Sequence, residues 1–211
     1  MLKRIDELVF KGTTTVGAIS RDGVILASDT RVTMGSLIVH KRGKKVHKID
    51  DHLAMTISGV VADAQKIVAA LRANARMYRI QRKISMPVSA AARLVANLFF
   101  SHRLFPFMAH IIIGGIDISG PHLFLIDQFG SITEERYVAT GSGSPIAYGI
   151  LEERFKEDLS LEEAIPIVTL ALRSAMKRDV GTGDSLDIVM IDKNGYRELS
   201  ADEKSKILES L

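Results

Sequence analysis

The stretch "TTTVGAISRDGVILASDT", residues 13–30, decides the fold. Its two halves, "TTTVGAIS" (13–20) and "GVILASDT" (23–30), alternate or carry β-branched residues at the period of two that gives a strand its faces. Arg21-Asp22-Gly23 stands between them, and an Asp-Gly step between two such runs closes a hairpin. The chain therefore opens on an antiparallel pair.

Beyond this pair a basic loop, "HKRGKKVHKI" (40–49), leads to a strand, "HLAMTISG" (52–59). The period then changes. In "VADAQKIVAALRANARMYRIQRK" (61–83), Ala64, Ile67, Val68, Leu71, Ala75 and Tyr78 recur at helical spacing, which predicts a long amphipathic helix. Met86-Pro87 breaks it, and Pro87 suits the first turn of a second helix, "PVSAAARLVANLFFSH" (87–102). Strands return at "HIIIGGID" (110–117), "HLFLIDQ" (122–128) and "SITEERYVA" (131–139). Helical patterns follow at 144–156 and 160–179, where Ser160 and Glu163 form a capping-box signature. A strand pair, 185–192 and 196–199, precedes a short terminal helix.

Helices delivered in pairs between antiparallel strands cover the outer faces of two stacked sheets. The expected fold is α+β, a four-layer αββα sandwich; a generic α+β domain shares the pattern. "HIIIGGI" is apolar on both faces, as befits a strand between a sheet and a helix layer. No linker, repeat or low-complexity tract divides the chain, so residues 13–211 read as one domain.

Composition narrows the function. The 211 residues are 46% hydrophobic, enough for a sizeable core. Net charge is +3 with the basic residues scattered, which gives no case for nucleic acid. Apolar runs such as "AHIIIGGI" (109–116) are too short to span a membrane. Absent cysteine excludes disulfides and thiolate chemistry. In "MLKRIDELVFKG" (1–12), Asp6 and Glu7 interrupt any secretory apolar region, so the segment reads as a cytoplasmic leader or as an ordinary frayed terminus.

Without Cys the nucleophile is a Ser, Thr, Lys or carboxylate. The six histidines show no i, i+4 pair, so no metal site is expected. No Ser–His pairing marks a triad, although triads are spatial. "GSGS" (141–144) precedes a helix, a place where backbone N–H groups cradle anions, but it lacks the lysine of a P-loop. Thr13 offers another route. A threonine hydroxyl needs a base, and the residue's own α-amine, with a reference pKa of about 7.7–8.0, is an economical one. That requires cleavage between Gly12 and Thr13, and glycine tolerates the strained geometry of attack on its own carbonyl. The same three threonines also read simply as a strand start.

Further polar residues stand at particular places: Asp29 and Arg31 in "ASDTRVT" (27–33), Lys45 in "RGKKV" (42–46), and Gly59 in "TISGVVADAQ" (56–65). Ser142 lies in "TGSGSP" (140–145), and Asp179 and Thr182 in "RDVGTGDSLD" (178–187). Together these segments, from Gly12 to about Leu199, resemble the β subunits of the proteasome, N-terminal-nucleophile threonine peptidases, most closely the archaeal ones. G-T-T-T-V-G, D-T-R-V-T, G-K-K, S-G-x-x-A-D-A-Q, G-S-G-S-P and R-D-x-x-x-G-D occur in the family's order.

The resemblance implies roles. Thr13 is nucleophile and, once freed, base; Lys45 lowers the hydroxyl's pKa, and Asp29 orients the lysine, with Arg31 in support. Gly59 donates its N–H to the oxyanion. Ser142, Asp179 and Thr182 surround the amine; family members commonly carry Ser at the last position. Val32, Gly43, Ile57 and Val61 line the pocket for the side chain before the cut bond, with His47 and Gln65 at its edges, while Thr33 and Gly59 bind substrate backbone. No acid is among them, which implies a preference for apolar over basic side chains. The resemblance also implies removal of residues 1–12, no cofactor, and unfolded protein substrates. Its partners are homo- or hetero-heptameric β rings stacked in pairs, α rings at the ends, and an ATP-dependent unfoldase. A non-catalytic β subunit that completes a mixed ring is the alternative; such silent subunits usually lack part of the Thr, Asp and Lys set. A related bacterial ATP-dependent peptidase fits less well, given the leader and "SGVVADAQ".

Overall fold

Alternation at residues 13–30 yields the expected hairpin: β1 (Thr14–Ser20) and β2 (Gly23–Asp29) pair antiparallel, with Thr15 opposite Ser28 and Ser20 opposite Gly23. The computed structural model describes residues 12–156 and 158–211, so the expected leader lies outside the described residues except for Gly12. β1 and β2 sit in a five-stranded antiparallel sheet with β10 (Tyr137–Gly141), β11 (Leu186–Asp192) and β12 (Gly195–Glu198), in the order β10-β1-β2-β11-β12. A second antiparallel sheet runs β5 (Val46–Asp50), β6 (Leu53–Gly59), β7 (Ala109–Asp117), β8 (Gly120–Ile126), β9 (Ile132–Glu134).

The period-two pattern distributes side chains into three apolar layers. From β2, Val24 and Leu26 meet Ile112 and Leu123 between the sheets. Ile25 and Ala27 point the other way, toward Leu161, Val168 and Leu172 of the helix layer formed by α3 (Ser144–Arg154) and α4 (Leu161–Arg178). From β6 and β7, Leu53, Met55, Ile111 and Ile113 pack on Ile67, Leu71 and Phe99 of α1 (Val61–Arg82) and α2 (Val88–Ser101). The result is the αββα sandwich. Each fully buried Leu or Ile contributes roughly 1.5–3 kcal/mol by leaving water. A short α5 (Ala201–Glu209) adds Ile207 and Leu208 to the edge of the α3–α4 layer.

Ser160 and Glu163 form the predicted capping box at the start of α4. Elsewhere the chain departs from its sequence pattern. The segment read as a loop over 40–49 ends one strand and contains another: β3 (Val32–Met34) and β4 (Leu37–His40) make a separate hairpin, and β5 begins at Val46. The run 131–139 is two strands in different sheets. The Glu135 N–H still donates to the Leu123 carbonyl of the second sheet, whereas the Arg136 carbonyl already accepts from Ile19 of the first, so the chain crosses between layers at that step. Pro87 caps α2 from outside, at φ −56° and ψ 144°, instead of lying within its first turn.

At one end of the sandwich the inner layer turns from apolar to hydroxylated. Thr56 donates to Thr15 (3.0 Å), Thr15 contacts Thr140 (2.8 Å), and Thr140 contacts Ser58 (3.0 Å). These buried hydroxyls satisfy one another, as burial demands, and tie β1 and β10 to β6 across the sheet interface.

Candidate active site

Three strand ends and one loop converge beside that hydroxyl layer. Asp29 closes β2 with no exposed surface, and its carboxylate accepts four hydrogen bonds. Oδ1 takes the Thr14 N–H (2.9 Å) and Lys45 Nζ (2.7 Å); Oδ2 takes the N–H groups of Arg31 (3.1 Å) and Gly183 (3.0 Å). Four donors fill the acceptor sites of an ionised carboxylate. Asp29 thereby joins the start of β1, the loop before β5 and the loop before β11.

Lys45 is buried at the edge of β5. Burial pushes its ammonium below the ordinary lysine value, while the charge and hydrogen bond of Asp29 oppose that shift. Arg31 turns its guanidinium away from the pair, to Asp184 (3.0 Å) and the Val180 carbonyl (2.9 Å), so it touches Asp29 through its backbone N–H.

Thr13 is almost fully buried, and its hydroxyl donates to the Gly12 carbonyl oxygen at 2.6 Å. Its N–H donates to Ser142 Oγ (3.3 Å), which lies 2.5 Å from Asp179 Oδ2. Thr182 donates to the same carboxylate oxygen and meets the Thr14 hydroxyl at 2.7 Å. Asp179 occupies the C-cap of α4, where the helix dipole disfavours an anion. The hydroxyls of Ser142 and Thr182 offset that cost. Gly12 and Gly181 lie backbone to backbone: a Cβ on Gly12 would fall 1.8 Å from Gly181 Cα.

A cleft of about 840 Å³ opens beside Thr13. Val32, Thr33, Gly43, His47, Ile57, Val61 and Gln65 all line it, with Lys45 and Gly59. Ser142, Asp179, Thr182 and Asp29 do not; they lie on the far side of Thr13, around its backbone and beneath Lys45. His47 is desolvated and faces the charges of Arg72 and Lys44, which lower its pKa to about 4, so its imidazole is neutral near neutral pH. Gly59 ends β6 at φ +148°, and a Cβ there would lie 2.2 Å from the Met108 carbonyl oxygen. Only glycine fits that bend without strain.

The sequence reading missed other lining residues: Met34, Val39, His40, Arg42, Lys44, Val60 and Ala64. Five come from the β3–β4 hairpin and the loop after it. Their signal was Gly35-Ser36 between "VTM" and "LIV", a two-residue hairpin step with Gly35 at φ +59°.

Comparison with known proteins identifies the family of the chain. The family model described as proteasome subunit matches residues 9–191. A proteasome subunit beta 2 from Aeropyrum pernix is 51% identical over 195 residues, covering 92% of this chain and 89% of the relative. A proteasome subunit beta 2 from Nitrosopumilus maritimus is 44% identical over 209 residues, 99% and 100% of the two chains. A proteasome subunit beta from Methanocaldococcus vulcanius is 49% identical over 200 residues, 94% and 90%. With a family match across both sheets and such relatives over nearly the full length, the chain belongs to the proteasome subunit family.

Proposed function

We propose that the chain is a catalytic β subunit: a threonine endopeptidase that cuts unfolded polypeptides within a ring assembly. The observation that carries this reading is the single carboxylate of Asp29, which holds both the Lys45 ammonium and the backbone beside Thr13. A β subunit that only filled a ring position would have no use for a buried Lys–Asp pair, which is costly to desolvate.

The proposed steps follow from the atoms present. Within the precursor, the Thr13 hydroxyl lies against the carbonyl of Gly12, the group it would attack to release residues 1–12. Once freed, the α-amine accepts the hydroxyl proton, and Oγ attacks the substrate carbonyl carbon. The N–H of Gly59 stabilises the resulting oxyanion, a donor worth about 3–4 kcal/mol when lost. Collapse passes the proton to the leaving amine and leaves an ester on Thr13. Water, activated by the same amine, hydrolyses that ester. Ser142 and Asp179 hold the amine; Thr182 fixes Asp179; Arg31 braces Asp29. Thr33 and Gly59 bind substrate backbone as an added strand.

The cleft wall of Val32, Gly43, Ile57 and Val61, with His47 and Gln65 at its edges, receives the side chain before the cut bond. Family membership implies assembly into proteasome core rings. We assign paired β heptamers, α rings, an ATP-dependent unfoldase and a cytoplasmic location as working partners and setting; no described helix is long and apolar enough to cross a membrane. Reporter peptides ending in Leu, Tyr or Arg test the reading on assembled particles. Leu and Tyr reporters are expected to be cut faster; faster Arg cleavage, or none of any, would contradict it.

A further inference from the structure

Among the described residues the cleft is lined by basic side chains and by no Asp or Glu, yet most of its cations are already engaged. Lys45 is held by Asp29, and Lys44 by Glu198 at 2.6 Å. His47 is neutral, its pKa lowered to about 4. Arg42 differs: it is exposed along the cleft and has no hydrogen-bond or ion-pair partner among the described residues. Carboxylates of the adjoining elements are engaged with other cations. Asp29 is saturated, Glu198 is paired with Lys44, and Asp184 is paired with Arg31.

The loop that carries Arg42 is also fixed in place. Thr30 Oγ1 donates to the Lys41 carbonyl (2.8 Å), and the Gly43 N–H donates to the Thr30 carbonyl (2.8 Å), so hydrogen bonds clamp the backbone on both sides of Arg42. A long cation held on a pinned backbone loses less entropy on contact with a ligand than one on a free loop. A guanidinium is always charged and presents a planar fork that matches a carboxylate. Val32, Val39 and Val61 line the same cleft, so a segment that fills it meets apolar surface as well as this cation.

We propose that Arg42 is a specificity-determining residue that receives the carboxylate of an acidic side chain in the peptide segment filling the cleft. The inference rests on the peptidase reading above and adds a substrate class to it: segments that pair an apolar residue at the cut bond with an acidic residue upstream. Because Arg42 lies at the exposed mouth, the contact is partly screened. The selectivity expected is about three- to tenfold, not orders of magnitude.

Matched peptides test it on assembled particles. Each carries Leu at the cut bond and either Glu or its neutral isostere Gln at one of the three preceding positions. At one of these positions, kcat/KM for Glu over Gln is expected to reach about three to ten at low ionic strength, carried by KM, and to shrink toward one in high salt. The ratio should fall to about one in Arg42→Gln, invert in Arg42→Glu, and survive in part in Arg42→Lys. A ratio near one at every position, with the Gln peptides still cut, would overturn the inference alone, as would a Glu preference that persists in Arg42→Gln. Failure to cut even the Gln peptides would overturn the peptidase reading and this inference with it.

Discussion

Lys45 Nζ lies 2.7 Å from Oδ1 of Asp29, and the pair is buried where β2 ends and β5 begins. The same oxygen takes the Thr14 N–H, so the charge that orients the lysine also fixes the residue after Thr13. Structure and chemistry share one atom there.

Asp29→Asn replaces one acceptor oxygen by a donor amide facing donors and leaves the lysine without its counter-ion. Breaking a buried pair in this way costs about 3–5 kcal/mol. If that cost is felt at the transition state, hydrolysis falls about a hundredfold or more. Thermal unfolding and peptide hydrolysis read the two effects; wild-type values for both would refute the shared role.

The pH dependence follows from the lowered pKa of Lys45. Burial lowers the pKa of folded Lys45 from 10.5, the value that the lysine keeps in the unfolded chain. Between the depressed value and the unfolded one, the unfolded chain binds the extra proton, so this lysine's contribution to stability grows as pH rises through that window. Activity runs the other way, because the ammonium disappears. The alkaline limb of kcat/KM should therefore lie below the ordinary lysine range and move out of reach in Lys45→Arg, whose guanidinium stays charged. A limb that Lys45→Arg leaves in place would assign it to another group.

The places of these residues are legible in the sequence because they sit at the ends of strongly patterned elements, whereas the roles proposed for them come from the family resemblance. The period-two runs of 13–20 and 23–30 fix β1 and β2, and Asp29 follows at the strand end. The period-3.6 run after Gly59 fixes α1, which leaves Gly59 at a strand-to-helix bend. The β3–β4 hairpin was hidden: its exposed Met34, Leu37 and Val39 pack against no core, so no alternation between buried and exposed positions marks it. With it went Met34, Val39, His40, Arg42 and Lys44 of the cleft wall. The run 131–139 misled because its strand character is continuous while its partners are not. A change of sheet at Glu135-Arg136 is set by tertiary hydrogen bonds with no local sign.

Gly12→Ala and Gly181→Ala should both stall leader removal. A Cβ on Gly181 would lie 2.1 Å from Gly12 Cα, close enough to force apart the two backbones at the bond to be cut. Once residue 12 is absent that clash is gone. Intact mass should show accumulated precursor in both variants, and a Gly181→Ala chain expressed from Thr13 onward should recover most of its hydrolysis. Normal processing in both would show that the close approach has no part in maturation.

The central claim is that Thr13 supplies both the attacking hydroxyl and, after cleavage, the base. Thr13→Ala, assembled into rings and followed by intact mass and reporter hydrolysis in one sample, tests it most directly. The account predicts a chain that keeps residues 1–12 and shows no hydrolysis above background, while wild type begins at Thr13 and is active. A Thr13→Ala particle that still sheds its leader and cuts peptides at the wild-type rate would contradict it.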